Sequence, residues 1–318
     1  MKILDSLTAA QRWSPNCVAT IGKYDGMHLG HQRILDALLA DAARRELPSL
    51  VILSEPQPEE FFAGADAPPR LNHFQDKVDF LEDYGIDAVY RLRFDQALSQ
   101  QDADAFVREF LAAGLGVRGL VVGDDFRFGR NRAGDIALLR QLGNELGFDV
   151  ATVAPCIEAG ERVSSTLVRQ YLQAGDCARV MQLLGRPYSI SGTVVEGRKL
   201  GRTIGVPTAN VGLLTPSLPM TGVFAVKVAL PGNELDGVAN LGFKPTVDSS
   251  AKPSLEVHIL DFKGDLYGDR IEVRFLAKLR DEQKFAGLPQ LQEQIQKDIA
   301  QARAVFSQGA NETAGASA

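Results

Sequence analysis

The chain has 318 residues, 45% hydrophobic and 23% charged, with a formal net charge of −6 at pH 7. That balance excludes a broad basic field for nucleic acid or an anionic membrane, so any phosphate ligand has to be met by local positive charge. The length suits two domains at ~150 residues each.

The first half alternates short apolar runs with longer helical patterns. Cys17–Ile21, Leu50–Leu53, Ala88–Leu92, Leu120–Val122 and Val150–Val153 read as buried strands. Between them His31–Glu46, Phe74–Tyr84, Asp102–Ala112 and Ile136–Leu146 carry helical periodicity, followed by helices over Ser165–Ala174 and Cys177–Leu184. Strands alternating with helices predict a Rossmann-like parallel sheet covered on both faces, with ligands at the carboxyl ends of the strands. From Tyr188 to Leu279 the texture changes to β-type runs: Ser189–Val195, Val223–Leu230, Asp236–Leu241, Ser254–Asp261 and Ile271–Leu279. These predict an antiparallel β-barrel or sandwich, closed by a helix over Leu288–Val305 and followed by a disordered tail, 307–318. The domain boundary is placed at residues 184 and 185.

Three cysteines, Cys17, Cys156 and Cys177, lack CxxC spacing and are read as reduced core thiols. The opening MKILDSLTAAQRWSP has no unbroken apolar stretch, and no run approaches a membrane span, so a cytoplasmic protein is expected.

GKYDGMHLGH (Gly22–His31) follows the first main strand and opens a helix. Gly22, Gly26 and Gly30 permit tight turns. His28 and His31, two of four histidines in the chain, can donate to phosphate oxygens beside the positive end of a helix. Neither a P-loop nor a GxGxxG fingerprint occurs there. Turn geometry and helix capping alone would also account for these residues; the position after the first strand of a doubly wound sheet favours a ligand. GDDFRFG (Gly123–Gly129) and SSTLVR (Ser164–Arg169) lie at later strand ends, the second doubling as an ordinary helix cap.

HLGH with SSTLVR resembles the nucleotidyltransferase superfamily. With EPQPEEFF (Glu55–Phe62) and GDDFRFG added, the half resembles the FMN adenylyltransferase module of bacterial bifunctional FAD synthetases. The resemblance implies ATP binding by Gly22, Lys23, Asp25, Gly26, His28, Gly30, His31, Ser164, Ser165, Thr166 and Arg169, with the two histidines on the phosphates. It implies flavin binding near Asp124, Asp125, Phe126 and Phe128. Lys23 stands where Asn is usual, and Gln57 where many members carry His. A phosphate monoester attacking ATP is already anionic at pH 7, so this half needs donors and cations and no base.

The second half opens with GRPYSISGTVVEGRKLGRTIGVPTANV (Gly185–Val211), where Arg198, Lys199 and Arg202 cluster among glycines. Thr208 and Asn210 share one face of an extended segment and suit Mg²⁺ with nucleotide phosphates, or an ordinary turn. LEVHILDF (Leu255–Phe262) alternates, with Glu256 and His258 on its polar face. With GVANLGFKPT (Gly237–Thr246), GDLYG (Gly264–Gly268) and LRDEQKF (Leu279–Phe285), this span resembles riboflavin kinase. The resemblance implies Glu256 as base, Thr208 and Asn210 as Mg²⁺ and phosphate ligands, Gly192, Gly197, Arg198 and Gly201 in ATP binding, and Arg280 and Phe285 against the flavin. The implied whole is a two-step enzyme taking riboflavin to FMN and FMN to FAD with ATP and Mg²⁺. No nucleic acid, membrane or obligate protein partner is expected. A kinase with a silent first half, or a flavin-binding regulator, are the competing expectations.

Overall fold

A computed structural model describes residues 1–197, 205–230, 232–245 and 251–315. The chain packs as two compact units: residues 1–68 with 72–164, and residues 69–71 with 165 onward.

The first unit is built on a six-stranded, wholly parallel sheet. Its strands are β1 (Lys2–Leu4), β2 (Cys17–Gly22), β3 (Ser49–Glu55), β4 (Ala88–Arg93), β5 (Val117–Gly123) and β6 (Asp149–Val153), in the order β1-β4-β3-β2-β5-β6. Its helices are α1 (Leu7–Trp13), α2 (Leu29–Arg45), α3 (Pro58–Ala63), α4 (Phe74–Asp83), α5 (Gln96–Gln100), α6 (Ala103–Ala105) and α7 (Ile136–Leu146). The helix expected over Asp102–Ala112 continues from α6 as a π-helical segment, Phe106–Gly114. Alternation along each strand feeds two cores. Cys17, Ala19, Leu50, Ile52, Leu120 and Val122 join one cluster; Val18, Val51, Leu53, Val89 and Val121 join the other. A strand buried on both faces reads as a continuous apolar run, which is why these strands are visible in sequence. β2 lies between β3 and β5, so the chain order reverses at β2. The carboxyl end of β2 is therefore the switch point where such sheets take ligands. A short hairpin, β7 (Ile157–Glu158) and β8 (Glu161–Arg162), completes the unit.

The second unit begins with α8 (Ser165–Ala174) and α9 (Cys177–Leu184). A closed antiparallel barrel follows, in the order β10-β13-β12-β11-β14-β9. Its strands are β9 (Tyr188–Val195), β10 (Ala209–Val211), β11 (Gly222–Leu230), β12 (Asn233–Pro245), β13 (Ala251–Ile259) and β14 (Arg270–Arg280). Closure leaves no unpaired sheet edge. The last helix, α10, runs Leu288–Gly315, so helical backbone extends past Val305 into the segment expected to be disordered. Val223, Ala225 and Val238 on the outer barrel face pack with Ala302, Ile299, Val305 and Phe306 of α10.

The cysteines are free and buried. Burial pushes the thiol of Cys17 up to about 12, and that of Cys177 up to about 11. No helix among the described residues is long and apolar enough to cross a membrane.

Candidate active sites

In the first unit, β2 ends at Gly22 and α2 begins at Leu29, leaving Lys23–His28 as the connecting loop. Tyr24, Gly26 and Met27 all have positive φ, at 50°, 90° and 46°. Two non-glycine residues in that region cost about 1–3 kcal/mol each unless surrounding structure holds them. Here it does: Tyr24 and Met27 are buried, and the Tyr24 hydroxyl lies 2.7 Å from Thr20 Oγ1. His28 caps α2, its Nδ1 accepting the backbone N–H of His31 at 3.2 Å. The proton of a neutral His28 ring is therefore on Nε2. The His28 and His31 rings stack, and a side chain at Gly30 would press on the His28 ring at 3.1 Å. The loop is thus a rigid imidazole-bearing turn at a helix N-terminus, the arrangement that suits polyphosphate.

Two residues passed over in the sequence brace this loop. Lys77 on α4 is fully buried, and its ammonium donates to the Lys23 carbonyl at 2.7 Å. Asn72 donates its N–H to Oδ1 of buried Asp25 at 3.2 Å. A signal for Lys77 existed, since it falls on the apolar stripe Phe74, Val78 and Leu81 of α4, where a charge demands a specific partner. The two departures from the family pattern also lie close by. Lys23 pairs with the Glu59 carboxylate, and Gln57 is buried at the start of α3, forming a capping box with Glu60. Phe61, Phe62 and Phe94 form an edge-to-face aromatic group after β3 and β4, with Phe62 68% exposed.

GDDFRFG follows β5, the neighbour of β2, so it leaves the same end of the sheet. Asp124 and Asp125 are exposed, and Asp125 pairs with Arg162 at 2.5 Å. Phe126 and Phe128 stack, but Phe128 is a core residue beside Phe106, while Phe126 is half-buried. Ser164 ends the first unit. Ser165, Thr166 and Arg169 lie on α8 in the second unit, where Arg169 Nε donates to the Pro69 carbonyl at 2.7 Å.

In the second unit, one register row of the barrel's outer face reads Arg280, Val223, Asn240, Glu256, Asn210, Val195. Leu255, Val257 and Ile259 point inward and are buried, so Glu256 and His258 face outward as their alternation predicts. Asn210 is the direct partner of Glu256 across β10 and β13; Asn240 is its partner across β12 and β13. Lys244, also unremarked in the sequence, pairs with the Glu256 carboxylate and donates to Asn210 Oδ1 at 3.1 Å. His258 Nδ1 lies 2.8 Å from the Pro207 carbonyl; a carbonyl only accepts, so Nδ1 carries the proton. Thr208 lines an open cleft of about 510 Å³, including the solvent at its mouth, with Pro207, Val257, Phe262 and Tyr267 among its walls.

Gly192 sits where a side chain would strike the Gly212 carbonyl at 2.4 Å, and Gly197 lies against the Asn210 amide. Arg198 and Gly201, with Lys199 and Arg202, lie outside the described residues. Arg280 grips buried Asp298 of α10 through Nε at 2.9 Å and Nη2 at 2.8 Å, and its guanidinium lies 5.8 Å from the Phe285 ring.

The FAD synthetase family model matches residues 10–167, and the riboflavin kinase family model matches residues 184–306. The chain is 45% identical over 308 residues to the bifunctional riboflavin kinase/FMN adenylyltransferase of Escherichia coli, covering 96% of this chain and 98% of that protein. It is 46% identical to the Pseudomonas fluorescens protein of the same name, covering 93% of this chain and 94% of that protein. For the Haemophilus influenzae protein of that name the identity is 42%, over 96% of this chain and all of the relative. Among solved structures, a Streptococcus pneumoniae protein titled a macrolide-efflux protein superposes with TM-score 0.81 and 28% identity, over 95% of this chain and 98% of that one. With one family model on each half of the chain and relatives matched over nearly their whole length, the chain belongs to the bifunctional riboflavin kinase/FMN adenylyltransferase family.

Proposed function

We propose that the barrel unit transfers the γ-phosphoryl group of ATP to riboflavin, and that the α/β unit transfers the adenylyl group of a second ATP to the resulting FMN. The carrying observation is that each unit holds its own set of groups suited to one reaction: His28 and His31 at the switch point, and Thr208, Asn210 and Glu256 on the barrel.

In the kinase reaction the terminal ribityl hydroxyl is a poor nucleophile. Glu256 accepts its proton as the oxygen bonds to the γ-phosphorus and the bond to ADP breaks. Thr208 and Asn210 face the nucleotide phosphates, and the cleft beside Thr208 receives ATP. The donor set fits a hard cation, because Asn210 Oδ1 and a Glu256 oxygen already share one cation, the Lys244 ammonium. Mg²⁺ held by Thr208, Asn210 and the phosphates would neutralise charge on the group in transfer.

In the adenylyl transfer, an FMN phosphate oxygen bonds to the α-phosphorus of ATP and pyrophosphate leaves. No base is needed; His28, His31 and the α2 N-terminus stabilise the charge on the phosphates. Lys23 adds a cation to the loop, and Asp124, Asp125 and Phe126 border the flavin nucleotide. Ser164, the last residue of the same unit, adds a hydroxyl to the triphosphate contacts. The partners are small molecules, riboflavin, FMN, FAD and ATP, and the compartment is the cytoplasm.

The test is to incubate the purified protein with riboflavin and Mg-ATP and separate the products by chromatography. FMN and FAD together are expected. FMN alone restricts the chain to the kinase, and neither product overturns the reading.

A further inference from the structure

Lys244 occupies a place that the proposed chemistry gives to something else. It stands on the outer face of β12, two and four residues beyond Gly242 and Asn240 on the same alternation. Its ammonium reaches across β13 to β10, pairing with Glu256 and donating to Asn210 Oδ1 at 3.1 Å. A carboxylate oxygen and an amide oxygen are what a hard divalent cation selects, and the ammonium is a compact point charge already seated on both. Among the described residues there is no group of three or more His, Cys, Asp or Glu able to hold a metal. The oxygens around Lys244 are the ones that a divalent cation held by Asn210 would contest.

We propose that Lys244 is the resident cation of the kinase site, holding Asn210 and Glu256 together until a divalent cation displaces its ammonium from the Asn210 oxygen. The proposal rests on the assignment of Asn210 to the metal. Two adjacent cations on one amide oxygen repel each other more strongly as they approach, which favours departure of the ammonium as the metal arrives. Entry of the metal and release of Lys244 from Asn210 are then a single exchange. The flexible lysine stem permits it without backbone movement, because the side chain is 44% exposed. Before the exchange Lys244 neutralises Glu256 and keeps the Asn210 amide oriented. After it, the tethered ammonium remains beside the carboxylate, adding positive charge where the phosphates arrive.

Mn²⁺ alone, titrated into the full-length protein without nucleotide and followed by electron paramagnetic resonance of the free ion, reads the exchange directly. Asn210→Leu defines the component of Mn²⁺ binding that belongs to this site. In Lys244→Met that component should tighten by about tenfold, as expected for removing an adjacent like charge; in Lys244→Arg it should not. Lys244→Gln serves as a second neutral variant, with thermal unfolding to confirm that each is folded. Wild-type or weaker Mn²⁺ affinity in folded Lys244→Met and Lys244→Gln overturns the proposal alone. If Asn210→Leu removes no component, both the proposal and the metal assignment beneath it fall.

Discussion

The imidazoles of His28 and His31 stack with centroids 3.6 Å apart and planes 14° from parallel, while His28 Nδ1 accepts the His31 backbone N–H. The pair acts as one unit that is also the N-cap of α2, so stability and chemistry have to be separated. His28→Ala removes both cap and ring, and the cap alone is worth ~0.5–2 kcal/mol. His28→Asn keeps a cap acceptor while deleting the ring. We expect His28→Asn to unfold close to wild type, yet to lose FAD formation by about 10²–10³-fold, as for a removed transition-state donor. FMN formation from riboflavin should persist, because the kinase groups lie on the other unit. Parallel loss of both activities in the folded variant would falsify that division.

The Lys23 ammonium is paired with the Glu59 carboxylate, so a phosphate at the loop would have to compete with Glu59 for it. The pair is half-exposed, and such pairs contribute little to stability. Lys23→Ala should therefore leave the unfolding temperature nearly unchanged and raise the Michaelis constant for ATP in adenylylation a few-fold. Glu59→Gln should move that constant the other way by releasing the ammonium. Equal constants in all three proteins would show that Lys23 serves only Glu59.

Much of this was legible in the sequence, for identifiable reasons. Strands buried on both faces announce themselves as apolar runs, and LEVHILDF declares its two faces by alternation. Ser165–Ala174 and Cys177–Leu184 have the bounds their periodicity predicts. β1 is only three residues long and offers no period to detect. Lys77 shows in the sequence only as a charge on an apolar stripe and Lys244 not at all, because the significance of each lies in a distant partner, 54 residues away for Lys77 and 34 for the Lys244–Asn210 contact. Phe128 shows the reverse: its motif suggests a ligand, whereas packing beside Phe106 makes it part of the core.

Glu256 and His258 share a face, yet their partners differ. The His258 Nδ1–H is held by the Pro207 carbonyl, so the ring orients the segment that carries Thr208 and Asn210. Glu256→Gln should keep ATP binding and lose about 10²–10⁴ in turnover, the usual cost of a positioned base. His258→Gln should act chiefly on the Michaelis constant for ATP. Both are read in initial-rate assays of FMN formation at saturating riboflavin. If the His258 change removes turnover and the Glu256 change does not, the base has been assigned to the wrong residue.

The buried thiols give a pH dependence with a definite sign. The Cys17 thiol donates to the Leu115 carbonyl, and burial raises it from 9.0 to about 12. As pH climbs past about 9 the unfolded chain loses this proton and the folded chain keeps it, so stability falls. The contribution is complete below about 9 and lost on the way to about 12. Denaturant midpoints at pH 8 and pH 10 should drop further for wild type than for Cys17→Ala. An identical drop in both would remove the thiol from the account.

Arg280 was expected against the flavin, and one edge of its guanidinium, Nε and Nη2, donates to the carboxylate of Asp298, a residue only 2% exposed. The pair ties the end of β14 to α10, the helix that covers the outer barrel face beside the Asn240–Glu256–Asn210 row. Deleting one partner leaves a buried charge alone, which costs about 3–5 kcal/mol, whereas replacing both with apolar groups costs far less. Arg280→Met and Asp298→Leu singly should each lower the barrel's stability by that order, and the double variant should recover much of it. A residue that served only flavin contact would show no such rescue: Arg280→Met would raise the Michaelis constant for riboflavin without moving the unfolding curve. Adenylylation of supplied FMN separates the outcomes further, since the first unit contains neither residue. Chemical unfolding of the four proteins, with both activities assayed below the transition, decides between an anchor and a ligand contact.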